Sequence, residues 1–389
     1  MSNIKEKIPI LQWLPGYQRS WFKHDLFAGL TVGIILIPQG IAYATIAGLP
    51  PIYGLYTALI PQIVYAVMGT SRQLSVGPAA MDSLIVASGV GALATMGSEN
   101  FIAISILLAF LVGLFQFLFG LFHLGFLVNF LSRPVISGFT SGSAIIIGLN
   151  QIGNLTGMDL ERSNQVQFLF QSLFQTANGI HWPSMILGGL AIVFLLLMKR
   201  FFKRVPASLM VVIIGIAVMY FLRLNDRGID ILGFIPSGLP PFQIPDFTQE
   251  MILEVGGLAL TLALIGFLEA ISIAKSMESK HNSYQVSPNQ ELIAIGLGNM
   301  AGSFFQTYPA TGGFSRTAVN DESGAKTPMS SLIAALVIAL TLLFLTPLFY
   351  YLPTPILAAI IVISAYGLLD FSMPKNLLSF NRRDLIILN

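Results

Sequence analysis

Apolar runs recur along the whole chain, divided by short polar connections. A bilayer-crossing helix needs about 20 mainly apolar residues. Runs of that kind cover Leu26–Ala47, Ile52–Met68, Pro78–Thr95, Phe101–His123, Phe126–Leu149, Pro183–Phe201 and Pro206–Leu222. After Met251 come Met251–Lys275, Glu291–Phe305, Gly312–Asn320, Thr327–Tyr350 and Pro355–Asp370. Several are too short to cross alone. The longer polar connections are Gln151–Trp182 and Arg223–Glu250. Two places break the helical pattern. Gly69-Thr70-Ser71-Arg72 leads into an extended run, Gln73 to Gly77, with Pro78 expected at the first position of a helix, where its missing N–H costs nothing. Phe304 to Pro309 is expected to be extended again, and Ala310 to Ser315 to open another short helix.

Composition turns these runs into a membrane protein. Lys+Arg number 20 and Asp+Glu 18, so 10% of the 389 residues are charged, while 54% are hydrophobic. An ordinary soluble domain carries about 25% charged residues, and its surface depends on them. The fold class expected is therefore an all-α polytopic membrane protein. With 36 Gly and 21 Pro, many helices must be kinked or broken, a feature of transporters rather than of simple anchors. The net charge of +2 goes with no basic stripe, so nucleic acid is not a partner. Without cysteine there is no thiol chemistry. No Walker loop, paired acidic metal ligands or cofactor motif is visible, so neither an ATP-driven pump nor an enzyme is expected. The first residues carry mixed charge and no apolar core, unlike a cleavable signal.

Basic residues near span ends set the orientation. Lys5, Lys7, Arg19 and Lys23 place residues 1–25 in the cytoplasm. Crossing parity then puts Lys199, Arg200, Lys203, Arg204, Lys275, Lys280, Lys375, Arg382 and Arg383 inside as well.

The two breaks occupy corresponding places in two halves: Gln39 precedes Pro78 by 39 residues, and Glu269 precedes Gly312 by 43. Paired interruptions of this kind are the best sequence pointer to a transporter binding site. A helix N-terminus there offers unpaired N–H donors and about half a positive charge. Ser75, Ala79, Ala80, Phe314, Ser315 and Arg316 flank the two breaks. Gln39 and Tyr43 share a helix face. Each polar residue has a second reading. Gln39 can satisfy backbone freed by Pro38, Tyr43 can pack at an interface, Ser315 can be a plain N-cap, and Arg316 can snorkel to the surface. Glu269 is alone in an apolar stretch, which suits a proton relay or a static pair with Arg316. Asp82 is a secondary candidate. Asn154-Leu155-Thr156 matches a glycosylation acceptor.

Pro38-Gln39-Gly40-Ile41-Ala42-Tyr43-Ala44 and Pro50-Pro51-Ile52-Tyr53-Gly54-Leu55-Tyr56 are followed by Pro61, Tyr65, Gly69-Thr70-Ser71-Arg72 and Val76-Gly77-Pro78. Ser132-Arg133-Pro134-Val135-Ile136-Ser137-Gly138-Phe139, Gly312-Gly313-Phe314-Ser315-Arg316-Thr317-Ala318-Val319-Asn320 and Ser323-Gly324-Ala325-Lys326-Thr327 follow. Together these stretches resemble the sulfate permease (SulP) family of anion transporters. The resemblance implies two inverted seven-segment repeats, the first about 26–222 and the second about 251–389 within one transport domain, 26–389. It implies a core domain moving against a gate domain, a homodimer in the full-length protein, and helices 3 and 10 meeting head to head. Family members continue with two more spans and a cytoplasmic STAS domain, so the second repeat is expected to be incomplete here.

The same resemblance places Gln39, Tyr43, Ser75, Ala79, Ala80, Phe314, Ser315 and Arg316 around the anion, and Glu269 at the position that takes the coupling proton or sodium. It implies proton-coupled sulfate uptake by alternating access, with no cofactor or metal. Sodium-coupled bicarbonate transport or anion exchange is the alternative, and a nucleobase transporter of similar fold is more remote. A multi-pass protein of a bacterial inner membrane is the expected location.

Overall fold

The structure is a computed structural model that describes residues 8–126, 133–160, 166–176, 179–201 and 207–366. The main helices, in chain order, are α1 (Arg19–Ala47), α2 (Pro51–Met68), α3 (Ala80–Gly91), α4 (Glu99–Leu121), α5 (Arg133–Asn150) and α6 (Trp182–Phe201). They continue as α7 (Ala207–Leu222), α8 (Gln249–His281), α9 (Pro288–Ser303), α10 (Phe314–Glu322), α11 (Met329–Leu340) and α12 (Thr354–Tyr366). Two strands, β1 (Val76–Gly77) before α3 and β2 (Thr311–Gly312) before α10, complete the set. Lys5, Lys7, Ser132, Lys203, Arg204, Lys375, Arg382, Arg383 and the end of the last expected span at Asp370 lie outside the described residues.

Among the described residues, α1, α2, α4, α8 and the stretch Met329–Phe349 are long and apolar enough to cross a membrane. Large side chains such as Leu253, Phe221 and Phe344 remain mostly exposed, at 74%, 79% and 69%. Such surfaces suit lipid, where close packing rather than water expulsion joins helices. The expected span Thr327–Tyr350 is not one regular helix: after α11 it passes through a π-turn at Thr341–Leu345 and a 3₁₀ turn at Thr346–Phe349. Pro347 accounts for the break, since it has no N–H to donate four residues back.

The chain divides into two compact units, Met1–Val128 with Pro236–Pro347, and Asn129–Ile235 with Leu348–Asn389. The first contains α1–α4, α8–α11 and both strands. One core cluster joins α1, α3, α4 and α8 through Ala44, Val86, Phe101, Leu108, Ala259 and Leu262. Another sets Val76 of β1 and Tyr65 of α2 against Phe267, Ala270 and Ile295 of α8 and α9. Where α1 crosses α2, Gly54 lies so close that a Cβ there would sit 1.9 Å from the Gly40 carbonyl oxygen. Only glycine permits that approach.

Two buried carboxylates fix the loops of this unit. Glu291, in the first turn of α9, accepts hydrogen bonds from the Tyr65 hydroxyl at 2.7 Å, Thr70 N at 2.7 Å, Thr70 Oγ1 at 2.6 Å and Ser71 N at 3.3 Å. Asp25 accepts from Lys326 N at 2.7 Å, Thr327 N at 3.1 Å, Thr327 Oγ1 at 2.7 Å and the Tyr17 hydroxyl at 3.1 Å. These charge-assisted sets explain the family stretches around Tyr65–Ser71 and Lys326–Thr327 as scaffolding. Near the end of α10, Asp321 pairs with both Lys280 and His281 of α8.

In the second unit, Leu232 N donates to Leu352 O at 2.8 Å and Thr354 N to Asp230 O at 3.1 Å, clipping the segment after α7 to the start of α12. Asn154, of the glycosylation motif, lies in a helical turn (Ile152–Thr156) and donates from Nδ2 to Gln151 Oε1 at 3.1 Å.

Candidate functional site

The strands are short because each only delivers a helix start. β1 and β2 pair antiparallel, Val76 opposite Gly312 and Gly77 opposite Thr311. Gly313 N then donates to Ser75 O at 2.9 Å, and Ser75 N donates to Thr317 Oγ1 at 3.1 Å. The ladder is braced from behind. Thr311 Oγ1 donates to Gly266 O of α8 at 2.6 Å, and the Asn299 amide exchanges bonds with Ala310 N and O at 2.8 and 2.9 Å. The buried backbone of two broken spans is thereby satisfied internally, as a membrane interior demands.

Both breaks depart from the expected boundaries. Pro78 lies before the helix, and α3 begins at Ala80 with Ala79, in extended backbone, as its N-cap. The second extended stretch comes later than expected, at Thr311–Gly312 rather than Phe304–Pro309. The chain instead reverses at Gly302–Thr307, where Phe305 N and Thr307 N both donate to Gly302 O and Gln306 takes a φ of 62°. α10 starts at Phe314 with Gly313 as its N-cap.

Neither N-terminus carries a side-chain cap, in contrast to α4, whose Ser98 accepts from Phe101 N at 3.2 Å. The strand pairing thus sets two uncapped helix starts side by side. Each keeps first-turn N–H groups and its share of the helix dipole. Ala79 and Ala80 are buried and small, while Phe314 and Ser315 are exposed.

Arg316 links the two starts. It is 1% exposed, and its Nη1 donates to Pro78 O at 2.8 Å, across the break. Its Nε and Nη2 are buried without a partner. Those two atoms form the side-on edge of the guanidinium, the fork that matches an oxyanion. Arg316 therefore does not snorkel. Gly313 leaves it room: a Cβ there would lie 2.4 Å from Arg316 Cζ.

The other expected residues gather in the same unit. Gln39 is buried with Oε1 unpartnered. Tyr43 is buried, within electrostatic reach of Arg316. Glu269, one turn beyond Gly266 on α8, has Oε2 buried and unpartnered and is also an electrostatic neighbour of Arg316. The static Glu269–Arg316 pair is not formed. Ser75 acts through its backbone, while its hydroxyl donates to Gln62 Oε1 at 3.4 Å.

Tyr308, not among the residues expected from the sequence, joins this group. It is fully buried, with its hydroxyl 3.1 Å from Ser83 Oγ and within reach of Arg316, Asp82 and Tyr43. The available signal was a Tyr-Pro pair directly before the second break. Among the described residues no cluster of His, Asp or Glu is arranged to hold a metal ion.

A profile described as the sulfate permease family matches residues 22–389. The chain is 42% identical to sulfate transporter 4.1, chloroplastic, of Arabidopsis thaliana, over 98% of this chain and 56% of that protein. It is 38% identical to a sodium-independent sulfate anion transporter of Bos taurus, over 99% and 68% of the two chains. The chain thus spans roughly half to two thirds of these relatives' lengths. Among solved structures, murine Slc26a9, an anion transporter described in an inward-facing state, matches with a TM-score of 0.93 and 27% identity, covering 100% of this chain and 67% of that one. The transmembrane domain of BicA, a cyanobacterial bicarbonate transporter, matches with a TM-score of 0.84 and 25% identity, covering 96% and 94%. The sequence relatives are plant and mammalian, so they lend no support to a bacterial inner membrane.

Proposed function

The chain belongs to the sulfate permease family, and from that premise we propose that it is the membrane-embedded part of a secondary anion transporter that takes up sulfate together with protons. One observation carries the reading: two uncapped helix N-termini meet at β1–β2, with the unpartnered edge of a buried guanidinium between them. In this reading the oxyanion accepts backbone N–H bonds from Ala80 and Phe314–Arg316 and the fork of Arg316. Gln39, Tyr43 and Ser315 complete its shell, and Ala79 keeps the approach open.

Glu269 supplies the coupling. Ionised, it competes with the anion for the Arg316 charge. Protonated, it leaves the fork to the anion, so each ligand favours the other's binding by the same factor. Moving sulfate inward against 100 mV costs about 4.6 kcal/mol, from about 2.3 kcal/mol per charge, and one proton cancels half of it. The repeats of the two halves, alternating access by a core and a gate domain, and dimerisation of the full-length protein belong to the same proposal.

A second reading, sodium-coupled bicarbonate uptake with the cation at Glu269, draws on the likeness to BicA. A nucleobase is a poorer match, because it needs acidic partners more than a guanidinium. Radiolabelled sulfate and bicarbonate uptake by the full-length protein in proteoliposomes, under imposed proton or sodium gradients, separates the two. Sulfate uptake driven by an inward proton gradient supports the first reading. Bicarbonate uptake that needs sodium and ignores sulfate replaces it with the second.

A further inference from the structure

Glu269 is not the sole buried acid here with an unpartnered carboxylate oxygen. Asp82 lies in the first turn of α3, the helix whose start forms half of the site. It is 2% exposed, and its Oδ1 is buried without a hydrogen-bond partner. Gly89 of α3 sits against Leu258 of α8, where an added Cβ would be 2.4 Å from Leu258 Cδ2. Val86 and Val90 of α3 pack with Val255, Ala259 and Leu262 of α8, and Asp82 and Glu269 are electrostatic neighbours. Tyr308, from the segment before β2, is within electrostatic reach of Asp82. Arg316 is an electrostatic neighbour of Glu269, Tyr308 and Tyr43.

An acid in a helix's first turn ordinarily earns its place by ion–dipole attraction and by accepting N–H bonds. Here it accepts none at Oδ1, and its charge would cancel the positive end that the anion needs. Arg316 brings one positive charge, whereas Asp82 and Glu269 ionised together bring two negative ones. A divalent oxyanion would then enter a site already net negative. Neutralising both acids leaves the guanidinium and two helix ends unopposed.

We infer that Asp82 is a second proton-binding carboxylate of the transport cycle, so that each sulfate enters with two protons, one on Asp82 and one on Glu269. This rests on the proton-coupled reading above and deepens it: the movement becomes electroneutral. Protonation of Asp82 also switches on the anion-binding end of α3, and its deprotonation on the inner side promotes release.

The test is equilibrium accumulation of radiolabelled sulfate in proteoliposomes of the full-length protein, with the potential clamped by valinomycin and potassium. Two protons per sulfate predict about 100-fold accumulation per pH unit, because each proton contributes about tenfold, and no response to potential. In Asp82→Asn the slope falls to about tenfold per pH unit, and 100 mV inside negative lowers accumulation about fifty-fold. Asp82→Glu restores the steeper slope. Asp82→Ser replaces the amide variant if that one does not fold. A wild-type slope of one proton, or an Asp82→Asn or Asp82→Ser protein with wild-type slope and no response to potential, overturns the inference while leaving proton-coupled sulfate uptake standing. Absence of pH-driven sulfate accumulation in the wild type removes both.

Discussion

Replacing Arg316 with lysine separates charge from geometry at the proposed anion site. Arg316 presents Nε and Nη2 as a free edge while Nη1 is anchored on Pro78 O at 2.8 Å. Lysine keeps a positive charge but can present neither the fork nor the anchor together with it. The oxyanion then loses one of two charge-assisted hydrogen bonds, worth about 1.5–3 kcal/mol. That is about a tenfold to hundredfold rise in Kd. Sulfate binding to purified wild-type and Arg316→Lys protein, measured by titration calorimetry or radiolabelled equilibrium binding, reads this directly. A thermal melt of both proteins guards against a folding defect. A folded Arg316→Lys protein that binds sulfate as the wild type does would refute the fork's role, and a general positive potential would suffice.

Other predictions concern the parts that hold the site. Gly313→Ala places a methyl group 2.4 Å from Arg316 Cζ; the guanidinium must shift, so sulfate binding should weaken at least tenfold in a protein that still folds, by the same titration. Glu291→Gln removes a buried carboxylate that four donors reach. It should cost about 3 kcal/mol of stability, seen as a lower melting temperature in detergent. The Tyr17 hydroxyl is raised to about 12, by burial first and then by the charge and hydrogen bond of Asp25. Because the raised value means the folded state holds the proton more tightly, this clip is intact below about pH 10 and is lost as pH climbs toward 12. The difference in phenolate absorbance between wild type and Tyr17→Phe during alkaline titration follows it.

Much of this architecture was legible in the chain because lipid imposes simple demands. The long apolar runs at Leu26–Ala47, Phe101–His123 and Met251–Lys275 correspond to α1, α4 and α8, since an uninterrupted apolar segment has few alternatives to helix in a bilayer. The two breaks were visible through Gly and Pro, but their strands were misplaced in one case by several residues. Register there is set by pairing between segments more than 200 residues apart, Val76 with Gly312, and local composition does not encode that. The same reason hid Tyr308, whose neighbours Ser83, Asp82 and Tyr43 come from other helices. Asp82 looked secondary because its importance depends on where α8 brings Glu269. The family stretches at Tyr65–Ser71 and Lys326–Thr327 read as signature without a role until Glu291 and Asp25 supplied one.

The central claim is that a small oxyanion sits where α3 and α10 begin. Selenate scatters anomalously and mimics sulfate, so diffraction from crystals of the protein soaked in selenate locates it without bias. A selenium peak is expected within hydrogen-bonding distance of the Ala80 and Ser315 amides and of the Arg316 fork. A peak elsewhere in the protein, with the ends of α3 and α10 unoccupied at saturating selenate, would contradict it.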